Sequence, residues 1–156
     1  TSELAKKAGA FVLRHPINRG QGAALQTGSD YALMLGAEII VHFDADNQFA
    51  ATEIPEICDP ILKNEADVVF GSRFLNKKSA LPFTKKYLIM PLGRLFNRLF
   101  GVYTSDPQSG FRAYTKAVAH SFRIENNGMA HCSEILIKLS RGRWRIKEVP
   151  ITVTYH

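Results

Sequence analysis

The run Glu38-Ile39-Ile40-Val41-His42-Phe43 ends in Asp44-Ala45-Asp46-Asn47-Gln48, so a short apolar stretch delivers two carboxylates one residue apart. The run is rich in β-branched residues and reads as a buried strand. Side chains alternate along an extended chain, which puts Asp44 and Asp46 on one side just past the strand's end. Two like charges so close need a positive partner or solvent between them. A hard divalent cation such as Mg²⁺ or Mn²⁺ takes oxygen ligands from one or two carboxylates and completes its shell with phosphate oxygens. The pair therefore points to a metal-bridged phosphate site, against the plainer alternative of two aspartates capping a loop.

Phosphate also calls for arginine, whose planar fork is always charged and holds two oxygens at once. Arg73 follows the run Asp67-Val68-Val69-Phe70-Gly71, and Arg112 follows the turn Asp106-Pro107-Gln108-Ser109-Gly110. The alternative for each is a solvated loop group. His42 reads as a buried strand residue and His131 as a helix-start residue rather than as metal ligands.

These residues need a scaffold, and the periodicity supplies one. A first helix begins at Thr1-Ser2-Glu3-Leu4, and Ala10-Phe11-Val12-Leu13 reads as a strand. Residues 22–35 form a helix with Leu25, Gly28, Ala32 and Leu35 on one face, ahead of the strand ending at Phe43. Ile54, Ile57, Cys58, Ile61 and Leu62 follow amphipathic helical spacing, and 67–71 is another buried strand. This α-β-α-β-α-β order predicts a mostly parallel sheet flanked by helices, with ligands at the carboxyl ends of the strands. Farther on, 84–100 carries Leu88, Leu92, Leu95, Phe96 and Leu99 on one side, rimmed by Lys77, Lys78, Lys85, Lys86, Arg94 and Arg98. A helix around Ser133–Leu139 and a closing strand over 145–155 follow, Pro150 favouring an edge or bulge.

The 156 residues, 46% hydrophobic, make one domain with a real core. A net charge of +6 favours an anionic partner. No apolar run reaches the ~18–20 residues of a membrane span, and no signal peptide is visible. Cys58 and Cys132 lack metal-type spacing and read as ordinary reduced core thiols, which points to the cytoplasm. Gly20 and Gly22 begin a dinucleotide pattern, but Leu25 breaks it, and no lysine-bearing phosphate loop exists.

Five stretches in order carry a resemblance: Asn18-Arg19-Gly20-Gln21-Gly22-Ala23-Ala24, Phe43-Asp44-Ala45-Asp46-Asn47-Gln48, Gly71-Ser72-Arg73-Phe74, Asp106-Pro107-Gln108-Ser109-Gly110-Phe111-Arg112 and Glu148-Val149-Pro150-Ile151. Together they resemble the family 2 glycosyltransferases, in the branch of dolichol-phosphate mannosyltransferases and polyprenyl-phosphate glycosyltransferases. The resemblance implies the nucleotide-diphospho-sugar transferase (GT-A) fold and an inverting, metal-dependent sugar transfer. It implies that Asp44 and Asp46 hold Mg²⁺ or Mn²⁺ against the donor's diphosphate. Asn18, Asp44, Gln48, Arg73 and Arg112 then fall at substrate-binding positions. Asp106 and Glu134 are the candidate catalytic carboxylates, although Glu134 equally suits a helix cap or a pair with Lys138. The expected partners are a nucleotide-diphosphate sugar and a lipid-phosphate acceptor at the inner face of a membrane, with no nucleic acid. The family's opening strand with Pro-x-Tyr/Asn-Glu, and its Asp-Asp-x-Ser turn, have no counterpart here, which reads as an N-terminally truncated domain. Gln21 stands where the family usually has lysine. Competing readings are a sugar nucleotidyltransferase, which wants a glycine-rich phosphate loop at its first strand, and an inactive or basic binding domain, which wants aromatics interleaved with its basic residues.

Overall fold

The computed structural model describes residues 1–75 and 104–154. The amphipathic stretch expected over 84–100 and its basic rim from Lys77 to Arg98 lie outside the described residues. The described elements run α1 (Ser2–Lys7), α2 (Gln21–Met34), β1 (Ile39–His42), α3 (Ile54–Leu62), β2 (Val68–Ser72), β3 (Arg112–Thr115), α4 (Lys116–Ser121), α5 (His131–Ser140) and β4 (Ile146–Pro150), with a 3₁₀ turn at Ala51–Glu53. Among them no helix is long and apolar enough to cross a membrane.

The four strands form one sheet in the order β1-β3-β2-β4. β2 and β4 pair in parallel, whereas β3 lies antiparallel between β1 and β2. Three strands therefore share a direction, and β3 runs against them. That insertion is not legible from the α-β-α-β order, because strand direction is set by pairing between residues distant in sequence. Alternation then sorts the side chains. Ile40, Val68, Phe70 and Tyr114 pack with Ile135, Leu136 and Leu139 of α5, with Leu25, Ala32 and Leu33 of α2 against them. On the other face Val69, Phe111 and Ala113 pack with Ile57 and Ile61 of α3 and with Ile151 and Val153. Both faces are covered, which is why the strands read as near-continuous apolar runs.

One expectation changes and another holds. Residues 10–13 are not a strand: Phe11 is 76% exposed and touches Tyr31 edge-on. Extended backbone becomes a strand only when another ladders against it, and among the described residues none does. At the other end β4 is the edge among the described strands, so Pro150, at its last position, removes a donor where none is needed.

Candidate functional site

The carboxyl ends of β1 and β2, together with the start of antiparallel β3, fall at one end of the sheet. Register places His42 opposite Arg112, so the end of β1 faces the first residue of β3. Asp44, two residues past β1, accepts a hydrogen bond at Oδ1 from Gln21 Nε2 at the start of α2, 2.8 Å away. Gly110 packs its backbone against the Asp44 carboxylate so closely that a Cβ there would overlap Oδ2. The turn before β3 thus needs glycine at this position. Gln21 supplies a neutral donor where lysine would supply a charge.

Asp46 is placed differently from the extended-chain expectation. The backbone bends over 45–48, Asn47 takes a left-handed φ of 64°, and Asp46 Oδ1 accepts the Gln48 N–H at 3.0 Å. This is an Asx turn, a common structure for aspartate two residues before a donor. Strand alternation therefore ends before Asp46, which is exposed at the bend. Asn18 plays a similar local part, its Oδ1 accepting the Gly20 N–H at 2.9 Å and shaping the turn into α2. Gly20 has a φ of 87° and lies against the Asn127 carbonyl, so no side chain fits there.

Arg112 is wholly buried. Its Nη2 donates to Cys132 Sγ at 3.3 Å, while Nε and Nη1 have no partner among the described residues. Burial works against its charge, but Tyr114, Cys132 and Asp44 around it outweigh that and hold its pKa above the ordinary value. Tyr114 lies two residues on, its hydroxyl pushed up to about 12 by burial, against the pull of Arg112. His42 stacks edge-on against Tyr114 with centroids 5.1 Å apart, and its Nε2 is 3.0 Å from Ser29 Oγ. Burial first, then the charges of Arg112 and His131, lower His42 to about 3. His42 is therefore the neutral strand residue expected. His131 is the first residue of α5, its Nδ1 bonded to the Gly128 carbonyl at 2.8 Å.

Arg73 and Asp106 come together at the end of β2. Asp106 is 1% exposed and receives Arg73 Nε at 2.6 Å, Nη2 at 2.7 Å and the Arg73 backbone N–H at 3.3 Å. The arginine's fork thus grips a protein carboxylate, where the sequence suggests an open phosphate contact. The Asp106 loop is held in turn by Glu148 at the β4 end. Its Oε1 accepts from Thr104 Oγ1, the Ser105 N–H and Ser105 Oγ, all within 2.9 Å, and Ser105 Oγ sits 2.6 Å from Ser72 Oγ. Glu148 and Gln21 are organising residues whose partners sequence reasoning does not foresee. Both stand inside the motif stretches, but nothing in their types announces what they hold.

Glu134 lies elsewhere. Its two oxygens accept the backbone N–H groups of Glu125 and Asn126 at 2.9 and 2.8 Å, and Lys138 Nζ is 2.7 Å away. The pair with Lys138, the plainer of its sequence-level alternatives, is what the structure contains. Burial would raise the Glu134 pKa, but Lys138 and the two backbone donors hold it below the usual range.

Among the described residues no three His, Cys, Asp or Glu side chains gather as a complete metal cage. Two carboxylates that leave most of the shell to phosphate and water suit Mg²⁺ or Mn²⁺ chemistry, and Asp44 keeps its carboxylate seated in the Gly110 cradle for such a role. A cleft of about 460 Å³ between α2 and β1 is lined by Gln21, Gly28, Ser29, His42 and Asp44.

Comparison with known proteins follows the same lines. The family described as "Glycosyl transferase family 2" matches residues 1–122. The chain is 37% identical over 149 residues to the UDP-N-acetylglucosamine–dolichyl-phosphate N-acetylglucosaminyltransferase of Methanococcus voltae, covering 93% of this chain and 59% of that one. It is 34% identical over 159 residues to the uncharacterized protein MJ1222 of Methanocaldococcus jannaschii (99% and 65%) and 26% identical over 156 residues to a polyprenol monophosphomannose synthase of Mycolicibacterium smegmatis (97% and 58%). The chain thus spans about three fifths of the length of these curated relatives. Among solved structures it resembles glucosyl-3-phosphoglycerate synthase from Mycobacterium tuberculosis, crystallised with Mn²⁺, UDP-glucose and phosphoglyceric acid. The TM-score is 0.67 at 18% identity, over 97% of this chain and 55% of that one, a likeness of fold.

Proposed function

We propose, from the premise that the chain belongs to glycosyl transferase family 2, that it moves a sugar from a nucleotide-diphosphate donor to a lipid phosphate. The observation that carries this reading is the convergence of Asp44, its Gly110 cradle and the buried Arg112 at the carboxyl end of β1. A carboxylate and a guanidinium at one strand end suit a diphosphate that brings its own cation.

In this reading Asp44 and Asp46 hold Mg²⁺ or Mn²⁺, which when bound neutralises the donor's diphosphate and eases departure of the nucleotide. Gln21 orients Asp44 through its 2.8 Å bond. The Gln48 backbone N–H fixes Asp46, Asn18 shapes the turn at the α2 entrance, and both are assigned to donor binding. Arg112 offers its charge to phosphate oxygens from inside the fold. Arg73 acts through Asp106, the two fixing the loop ahead of β3. Glu134 is assigned to structure, because its oxygens are occupied by two backbone donors and Lys138.

The acceptor follows from proton bookkeeping. A sugar hydroxyl needs a positioned general base for an inverting attack. A phosphate monoester, with its second ionisation near pH ~6, is already mostly deprotonated at pH 7. Asp106, buried with both oxygens held by Arg73, is placed to orient, which favours the phosphate. Two of the relatives carry dolichyl phosphate or polyprenol in their names. The basic and apolar residues of 77–98 suit an anionic membrane surface at its inner face. The test is transfer of labelled sugar from a panel of nucleotide sugars to a short-chain polyprenyl phosphate with Mn²⁺. Asp106→Asn is expected to lose only part of the rate. A loss approaching 10⁴-fold, the upper range for a general base, or transfer to sugar hydroxyls alone, contradicts the lipid-phosphate reading.

A further inference from the structure

The described residues leave four buried side-chain atoms without a hydrogen-bond partner: His42 Nδ1, Arg112 Nε and Nη1, and Tyr114 Oη. All belong to three adjacent residues. His42 and Arg112 are register partners, and His42 packs edge-on against Tyr114. Buried polar groups are almost always satisfied, so a cluster of orphans marks a place where something is to be bound or changed. Among the described residues the guanidinium's one hydrogen bond goes to Cys132 Sγ, and the same sulfur lies 3.5 Å from His131 Nε2.

We propose that Cys132 is a modification site: a thiol set for attack on small electrophiles and peroxide, whose modification acts on Arg112. Three features of its position support this. Cys132 is the second residue of the ten-residue α5, so a negative charge on its sulfur meets the helix's N-terminal end. A wholly buried guanidinium lies 3.3 Å from the sulfur and an imidazole nitrogen 3.5 Å from it. The residue is only partly buried. Cys58 provides the contrast within the same chain, because it lies inside α3 and burial alone acts on it, pushing its thiol up.

With hydrogen peroxide as oxidant the step balances. The sulfur gives two electrons, the O–O bond breaks, an S–O bond forms, and the second peroxide oxygen leaves as water with the thiol's proton. The product is a sulfenic acid, which reductants return to the thiol. Its oxygen stands beside the guanidinium whose Nε and Nη1 have no partner among the described residues, and gives that cation an internal acceptor. If Arg112 serves donor phosphate, as proposed above, oxidation competes with the donor for the same charge. This coupling rests on that reading; the reactivity does not.

The experiment is limited alkylation of the native protein with iodoacetamide, followed by peptide mass spectrometry, with dimedone trapping after peroxide as the parallel arm. Cys132 is expected to react roughly 10-fold or more faster than Cys58, and the ratio should fall to about one in concentrated urea. Equal native rates, faster reaction at Cys58, or a ratio unchanged in urea overturns the proposal. The coupling is read by titrating nucleoside diphosphate with Mn²⁺ into treated protein. Binding should be lost after peroxide and retained in Cys132→Ser treated alike. Undiminished binding by fully modified protein overturns the coupling. Failure of the untreated protein to bind nucleotide tells against the donor reading, while the labelling ratio still decides whether the thiol is reactive.

Discussion

Asp106 is buried, and one arginine grips it at both oxygens. Removing one partner of such a pair leaves a buried charge uncompensated, which typically costs about 3–5 kcal/mol. Arg73 is itself partly exposed, so water recovers some of that. Arg73→Ala is therefore expected to lower unfolding stability by about 2–3 kcal/mol, read by urea titration, and Arg73→Lys should rescue only part because a point charge cannot reproduce the fork. A wild-type stability would place Arg73 outside the structural role assigned here. His42 gives a pH signature of known sign. Its folded pKa, lowered to about 3, lies below the ordinary 6.5, so between those values the unfolded chain binds the extra proton. Stability should fall as pH drops from 6.5 toward 3, and His42→Gln should flatten that slope. A slope unchanged by the substitution would mean other groups set it. At this scale the sequence is partly legible. Residue types announce a phosphate site, but not that Arg73's fork is spent on Asp106, since pairing across 33 positions leaves no local trace.

Helices, strands and the bends between them decide which of those residues meet. The helix of 22–35 and the strands ending at Phe43 and Gly71 are readable because apolar periodicity is a local property, and the structure has α2, β1 and β2 within two residues of those bounds. The reversed direction of β3 and the bend at 45–48 are not, because both depend on contacts distant in sequence. The Gly110 turn shows the difference: its glycine matters only because Asp44 comes to lie against it. Gly110→Ala is expected to weaken Mn²⁺-dependent nucleoside diphosphate binding by roughly 10-fold, the scale of a displaced ligand-orienting group. Unaltered affinity would show that the Asp44 seat is irrelevant. On α5, Glu134 fastens the 125–126 backbone to the helix. Its carboxyl lies below the ordinary range, so its contribution is full above about pH 4.5 and is lost as pH falls through the lowered value. Glu134→Gln should cost about 1–2 kcal/mol at pH 7, the gap from wild type closing in strong acid. If transfer activity collapses while stability holds, Glu134 is catalytic and its structural assignment fails.

At the scale of the whole molecule, three strands of common direction bring their carboxyl ends to one edge, and covered sheet faces leave that edge as the place for chemistry. A family 2 match over residues 1–122 and a shared fold with a nucleotide-sugar transferase fit that arrangement. The five sequence stretches converge there from distant parts of the chain, which is why each is weak alone and informative together. The central claim is that this edge binds a diphosphate through a divalent cation held by Asp44 and Asp46. The direct measurement is calorimetric titration of a panel of nucleoside diphosphates into the protein with Mn²⁺, with chelator, and with Asp46→Asn. One nucleotide should bind with Mn²⁺, lose measurable heat in chelator, and bind roughly 10-fold more weakly to the variant. Equal binding in chelator, or an affinity untouched by Asp46→Asn, would contradict the claim.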